Sequence, residues 1–322
     1  MPYLGYGTPQ KLTLCGRVLE DEGFLPATTA DSRWHNLVQF WKRLESDEVP
    51  GARLRARFLG VQEETQTDDE GYFRVEIPTR GRLGPGTWQE VELELIEPAG
   101  AAPATGRVLI PPKRARFGVV SDIDDTIIAS HVRNKVKMIL TAALFNVRTR
   151  KPFAGVAAFY RALHAGVNPF FYVSKSPWNL YAPLVEYLEL QGLPLGPILL
   201  RDFGLRSEKE HKRKTIENIL ATYPGLKFIL IGDSGENDPE IYSAIVHRFP
   251  DRIPAIYIRS VNPDPKRIRA VEKLIGEVAK TGCQLVLAPQ AEPAAAHAAG
   301  KGLIQASELR TIRAEKEREL SG

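Results

Sequence analysis

Apolar and polar positions alternate along much of residues 1 to about 115. Lys11-Leu12-Thr13-Leu14-Cys15-Gly16-Arg17-Val18, Arg53-Leu54-Arg55-Ala56-Arg57-Phe58 and Val91-Glu92-Leu93-Glu94-Leu95 all switch every second residue. A period of two predicts strands with one face on a core and one in water. Thr67-Asp68-Asp69-Glu70-Gly71-Tyr72-Phe73 reads as a turn entering a strand, with Gly71 supplying an unusual backbone angle. Several short strands with turn signals predict a small N-terminal β-sandwich. One stretch breaks the period: Trp34, Leu37, Val38, Trp41 and Leu44 fall at helical spacing within residues 32–45. That helix fits docking on the sandwich. It also fits an interfacial role, with tryptophans at headgroup level and Arg33, Lys42 and Arg43 facing anionic lipid.

After Pro111-Pro112-Lys113 the pattern changes to apolar runs alternating with helical periods. Strands are predicted over 117–121, 169–173, 197–200, 227–231, 254–258 and 283–287. Helices are predicted over 177–191, 208–222, 239–248 and 265–280. Continuous apolar runs suit strands buried on both faces, and βα alternation predicts a doubly wound α/β parallel sheet. Residues 288–300, rich in Ala and Pro, read as a linker, and 307–320 as a charged peripheral helix. The expected organisation is therefore a sandwich over 1–112, an α/β domain over 113–290 and a linker with a helix over 291–322.

Composition changes this picture little. The 322 residues are 43% hydrophobic and 25% charged, with a net charge of +4, as in ordinary globular chains. The mild basicity permits an anionic partner without requiring one, and no nucleic-acid partner is expected. Two cysteines far apart, Cys15 and Cys283, exclude a disulfide framework and a Cys-based zinc site. The first residues lack a basic segment followed by an apolar one, and no apolar run approaches roughly 18 residues. These features lead to the expectation of a cytoplasmic protein that meets any lipid substrate from the membrane surface.

The chemistry concentrates at strand ends. Gly118-Val119-Val120-Ser121 runs into Asp122-Ile123-Asp124-Asp125-Thr126, three carboxylates and a hydroxyl. In open α/β sheets ligands bind beyond the carboxyl ends of the strands. Clustered acids repel one another unless a cation offsets them, and hard oxygen donors suit Mg²⁺. Asp122 is the candidate nucleophile and Asp124 the candidate general acid and base. Asp125 reads as a turn residue. The next strand ends in Tyr172-Val173-Ser174-Lys175-Ser176-Pro177-Trp178, where Ser174 is placed to donate to a phosphoryl oxygen and Pro177 to open a helix. His211-Lys212-Arg213-Lys214 lies near a helix start and, alone, also fits a solvated basic face. Lys212 is the candidate for the strand-facing side, given the apolar positions Ile216, Ile219 and Leu220. Finally, Ile231-Gly232-Asp233-Ser234-Gly235-Glu236-Asn237-Asp238 repeats the first design. Asp233 is a candidate metal ligand, and Asp238 is a candidate to ligate through water, to orient Lys212 or to cap the next helix.

Taken in order, these segments resemble the haloacid dehalogenase (HAD) superfamily of aspartyl-phosphate phosphatases. Within it the chain is most similar to the family of the actin-patch-associated phosphatidate phosphatase of fungi and its bacterial relatives. Leu199-Leu200-Arg201-Asp202-Phe203-Gly204 and Pro239-Glu240-Ile241-Tyr242 add to the likeness over residues 116–260, and Asp47-Glu48-Val49-Pro50-Gly51 extends it forward. The resemblance implies Mg²⁺-dependent hydrolysis of phosphatidate to diacylglycerol and phosphate. It implies a phospho-aspartate on Asp122 and acid–base work by Asp124. Phosphoryl binding falls to Thr126, Ser174 and Lys212, with Asp238 in support. The metal set it implies is the Asp122 side chain, the Asp124 backbone carbonyl and Asp233. In that superfamily an insert after the first strand forms a cap. Here the insert, 127–152, is short, with apolar residues between basic flanks, which fits an open site and a contact with anionic lipid. Phosphatases for other phosphomonoesters, and a binding module without turnover, remain alternative readings. The Asp124 acid argues against the latter.

Overall fold

The computed structural model describes residues 1–20, 48–127, 153–201 and 208–321. Residues 32–45, read as a docked or an interfacial helix, and most of the 127–152 insert lie outside the described residues. The chain divides into two compact units, Met1–Pro112 and Lys113–Gly322.

The first unit is one seven-stranded sheet in the order β4-β3-β6-β7-β1-β2-β5. Its strands are β1 (Gly5–Thr8), β2 (Lys11–Arg17), β3 (Arg53–Phe58), β4 (Val61–Gln66), β5 (Tyr72–Pro78), β6 (Trp88–Glu97) and β7 (Ala104–Leu109). All pairs are antiparallel except β1 with β7. The sheet curls until its edges meet, where Thr65 Oγ1 on β4 donates to the Arg74 carbonyl on β5 at 2.9 Å. The predicted alternation explains the curl's interior: Leu54, Ala56 and Phe58 of β3 and Phe73, Val75 and Ile77 of β5 share one core. The alternate residues Arg53, Arg55 and Arg57 face outward onto Glu64, Glu92 and Glu94 of neighbouring strands. Gly71 adopts φ 74°, and a Cβ there would meet the Val18 carbonyl oxygen at 2.7 Å.

The second unit carries a fully parallel six-stranded sheet, order β10-β9-β8-β11-β12-β13. Its strands are β8 (Gly118–Ser121), β9 (Phe170–Pro177), β10 (Ile198–Arg201), β11 (Phe228–Asp233), β12 (Ala255–Arg259) and β13 (Gln284–Ala288). The helices are α1 (Val156–His164), α2 (Tyr181–Leu190), α3 (Glu208–Thr222), α4 (Asp238–Arg248), α5 (Pro265–Ala279), α6 (Ala291–Gly300) and α7 (Glu308–Ser321). Every residue of β8 and β11 is buried, as expected for strands covered on both faces. The chain leaves β8 toward β9 and β10, then returns to build β11 to β13 on the other side. The strand order therefore reverses between β8 and β11, where α/β sheets open a crevice. No helix of the described residues is long and apolar enough to cross a membrane.

One expectation is corrected. Residues 291–300 are not a linker but helix α6, with Ala294, Ala295 and Ala298 buried. Alanine's high helix propensity outweighs the single Pro293, which sits harmlessly in the first turn. Helix α7 is a charged surface helix that docks through buried Ile312; Glu319 accepts from the Gly155 backbone N–H at 2.7 Å, and Glu315 pairs with Arg161 of α1.

Candidate active site

Strand β8 ends at Ser121, and the chain turns over the sheet edge through Asp122 to Thr126. Asp125 takes a left-handed backbone (φ 53°), which Asp tolerates better than most residues, and its carbonyl accepts from Arg259 Nη1 at 3.2 Å. That turn brings Thr126 back so that its Oγ1 donates to Asp122 Oδ2 at 3.2 Å. Asp122 is fully buried. Its backbone N–H continues the ladder to Ile231 of β11, and its carbonyl accepts from Ser121 Oγ, which also meets the Tyr160 hydroxyl.

Lys212, buried on α3, reaches into this turn. Its Nζ lies 2.7 Å from Asp122 Oδ1 and 2.6 Å from Asp238 Oδ1. Of the basic cluster, Lys212 is the residue the structure places against Asp122, while Lys214 pairs along its own helix with Glu210. Burial alone would lower the Lys212 pKa. The carboxylates of Asp122 and Asp238 outweigh that and hold it well above the usual lysine range.

Asp233 ends β11 on the strand adjoining β8. Its Oδ1 accepts from the backbone N–H groups of Gly235 and Glu236, at 2.6 and 3.1 Å. Its Oδ2 is buried without a hydrogen-bond partner. Asp238 folds back over the strand end, its Oδ2 accepting from the Asp233 N–H at 3.3 Å. Gly232 makes this possible, because a Cβ there would collide with the Asp238 carboxylate. Burial first, then repulsion from Asp238 and Glu236, pushes the Asp233 carboxyl up to about 8. Burial likewise raises Asp122, against the pull of Lys212.

Asp124 faces a different set of groups. Its Oδ2 accepts from Ser174 Oγ at 2.7 Å and from Ser176 Oγ at 3.2 Å. Burial raises its pKa, partly offset by the Ser174 hydroxyl and by Lys212 and Lys175. A helix was expected to start at Pro177, shortly after Ser174. Instead β9 runs on through Ser174 to Pro177, whose ψ of 157° is extended, and only a 3₁₀ turn over Trp178–Leu180 precedes α2. The Pro177 ring fixes φ but leaves ψ free, so it extends the strand as readily as it starts a helix.

Ser176, Lys175 and Glu236 received no role from the sequence. Ser176 was legible in hindsight: two residues from Ser174, it shares a strand face and the same carboxylate. Glu236 had no such signal, since its position depends on how the Gly235 loop folds.

Among the described residues, the acids close enough to share a cation are Asp122, Asp233 and Asp238, whose ligand atoms lie within 4.8 Å of one another. Hard oxygens, excess negative charge and the unpartnered Asp233 Oδ2 all fit a hard divalent ion. The Asp124 carboxylate is outside this group, its Oδ2 accepting from Ser174 and Ser176.

Residues 117–260 match the family described as phosphatidate phosphatase APP1, catalytic domain. The matched span contains Asp122, Asp124, Thr126, Ser174, Lys212, Asp233 and Asp238. The chain is 38% identical over 152 residues to the phosphatidate phosphatase APP1 of Saccharomyces cerevisiae, covering 44% of this chain and 26% of that protein. It is 28% identical over 158 residues to an uncharacterized protein of Schizosaccharomyces pombe, covering 47% and 26%. The chain thus spans about a quarter of the length of these relatives. A HAD family hydrolase from Deinococcus radiodurans R1, solved with phosphate and sodium, aligns at a TM-score of 0.34 and 18% identity over 60% of this chain and 99% of that one. That likeness is too slight to bear on the fold.

Proposed function

We propose that this protein is a HAD-type, Mg²⁺-dependent phosphatase that hydrolyses phosphatidate to diacylglycerol and phosphate at the membrane surface. The observation that carries the reading is the arrangement around Asp122. A buried carboxylate at the switch point touches one lysine, lies beside two further acids, and sits two residues from a second carboxylate held by hydroxyls. The match to the phosphatidate phosphatase APP1 catalytic domain supports phosphatidate as substrate. Because that lipid resides in a bilayer, the protein meets it at the surface.

Asp122 and Asp233, with the Asp124 carbonyl, are the groups that would hold Mg²⁺, and Asp238 stands beside them. When bound, the ion supplies positive charge that offsets the carboxylates and polarises the phosphoryl group. Lys212 binds the phosphoryl oxygens and screens Asp122 from them. An Asp122 oxygen attacks phosphorus, forming the acyl phosphate as the bond to the glycerol oxygen breaks. Asp124 gives that oxygen its proton. The two serine bonds occupy Asp124 Oδ2, leaving Oδ1 to carry the transferred proton, and burial shifts the carboxyl toward the protonated form. In the second half Asp124 accepts a proton from water, whose oxygen attacks phosphorus and releases Asp122 and phosphate. General acid–base catalysis of this kind is worth about 10²–10⁴-fold.

The test compares phosphatidate in mixed micelles with soluble phosphomonoesters, with Mg²⁺ and with chelator. Mg²⁺-dependent release of phosphate from phosphatidate is expected, abolished by Asp122→Asn with the fold intact by circular dichroism. Turnover by Asp122→Asn would remove the nucleophile assignment. Preference for a soluble ester would move the substrate to another phosphomonoester.

A further inference from the structure

Glu236 sits between two ammonium groups at the mouth of the candidate site. Its Oε1 lies 2.6 Å from Lys175 Nζ, and its Oε2 lies 3.9 Å from Lys212 Nζ. Lys212 in turn touches Asp122. A carboxylate with one oxygen toward each of two lysines has the charge and spread of part of a phosphoryl group. Its surroundings are costly for it: the Glu236 side chain is only 19% exposed, and three other acids, Asp122, Asp233 and Asp238, act on it electrostatically. The groups facing it across the site are Lys175 from β9 and Lys212 from α3. Burial raises its pKa, and the two lysines partly offset this.

The backbone beneath Glu236 is fixed. Its N–H donates to Asp233 Oδ1 at 3.1 Å, and its carbonyl accepts from Arg267 Nη2 at 2.5 Å. Arg267 also donates from Nε to the Ser234 carbonyl at 2.7 Å. Any movement of the carboxylate is therefore by side-chain torsions alone, on a loop that stays in place.

We propose that Glu236 is an internal stand-in for the phosphoryl group. On binding, a phosphomonoester dianion displaces the Glu236 carboxylate and takes Lys175 as a second cationic contact beside Lys212. This rests on reading the site as a phosphoryl site and adds Lys175 and Glu236 as determinants of affinity. The exchange disfavours weakly charged ligands. A monoanionic phosphodiester gains less from Lys175 than Glu236 loses, whereas a dianion gains more.

The test is a double-mutant cycle on the full chain, read by calorimetric binding of inorganic phosphate with Mg²⁺ present and by KM and kcat for a soluble phosphomonoester. Glu236→Gln is expected to tighten phosphate binding and lower KM about fivefold, with kcat nearly unchanged. Lys175→Met is expected to weaken binding by a similar factor. Adding Glu236→Gln to Lys175→Met should then give little further effect, because the contact it releases is gone. Lys175→Gln provides the same comparison with a polar side chain, and a gain in affinity cannot arise from misfolding. Equal tightening by Glu236→Gln with and without Lys175 would overturn the exchange, leaving simple repulsion. So would no tightening at all. Because phosphate binding needs no turnover, the two readings separate. A holding cycle in a protein that hydrolyses nothing keeps the exchange and removes the catalysis. A flat cycle in an active enzyme does the reverse.

Discussion

Gly232 lies under the Asp238 carboxylate, and that contact links a backbone requirement to the charge of the site. Gly232→Ala would push Asp238 off Lys212 and off the Asp233 N–H. The expected result is a fall in kcat of at least tenfold and a loss of about 1–3 kcal/mol in stability, read by steady-state kinetics and denaturant unfolding. Asp233 predicts a pH dependence. Its folded carboxyl, near 8, lies above its unfolded value of about 3.9. Protonation therefore favours the folded state, and that contribution is complete below about pH 4 and lost as pH rises through about 8. The Mg²⁺-free protein should weaken over this window, Mg²⁺ affinity should rise over it as the proton is displaced, and Asp233→Asn should flatten both trends. Unfolding titrations with and without Mg²⁺ measure this. At this scale the sequence was informative where acids follow an apolar run, because a strand end orients them. Asp122, Asp233 and Asp238 do meet, and Lys212 joins them. It was uninformative for the Ser174–Asp124 bond and for Glu236, which depend on where β9 stops and how the Gly235 loop turns.

Elements with a strong period were legible, and those defined by composition were not. The apolar runs of β8 and β11 gave a buried parallel pair directly, and Gly118 lets the Phe228 ring lie against β8 where a Cβ would collide. Helix α6 was misread because Ala and Pro are shared by linkers and helices. What separates them is the burial of Ala294, Ala295 and Ala298 on one face, which only tertiary packing provides. Ala295 is fully buried, so Ala295→Asp places an unpaired charge in that layer. It should destabilise the second unit by about 3 kcal/mol or more, measured by chemical denaturation, whereas Ala299→Asp, on the same helix but less buried, should cost far less. By contrast α7 was legible as a charged surface helix, because its charges outnumber its apolar residues. Its acids are used inward, on the Gly155 N–H and Arg161.

For the whole molecule, division into two compact units makes a separable prediction. Residues 113–322 contain all the groups placed around Asp122 and their own sheet core. Expressed alone, they should unfold cooperatively and hydrolyse a soluble phosphomonoester with kcat close to that of the full chain. A loss of soluble-ester turnover in a folded fragment would assign the curled β unit a part in the chemistry.

The Lys212 ammonium has three protons, and its two short contacts assign two of them, one to Asp122 and one to Asp238. One N–H is left to meet an incoming oxygen without releasing either anchor. Tetrahedral geometry thus allows one side chain to hold its neighbours in register and greet the substrate at once. A guanidinium of equal charge holds all its N–H groups in one plane, so Lys212→Arg should preserve net charge and still lose turnover.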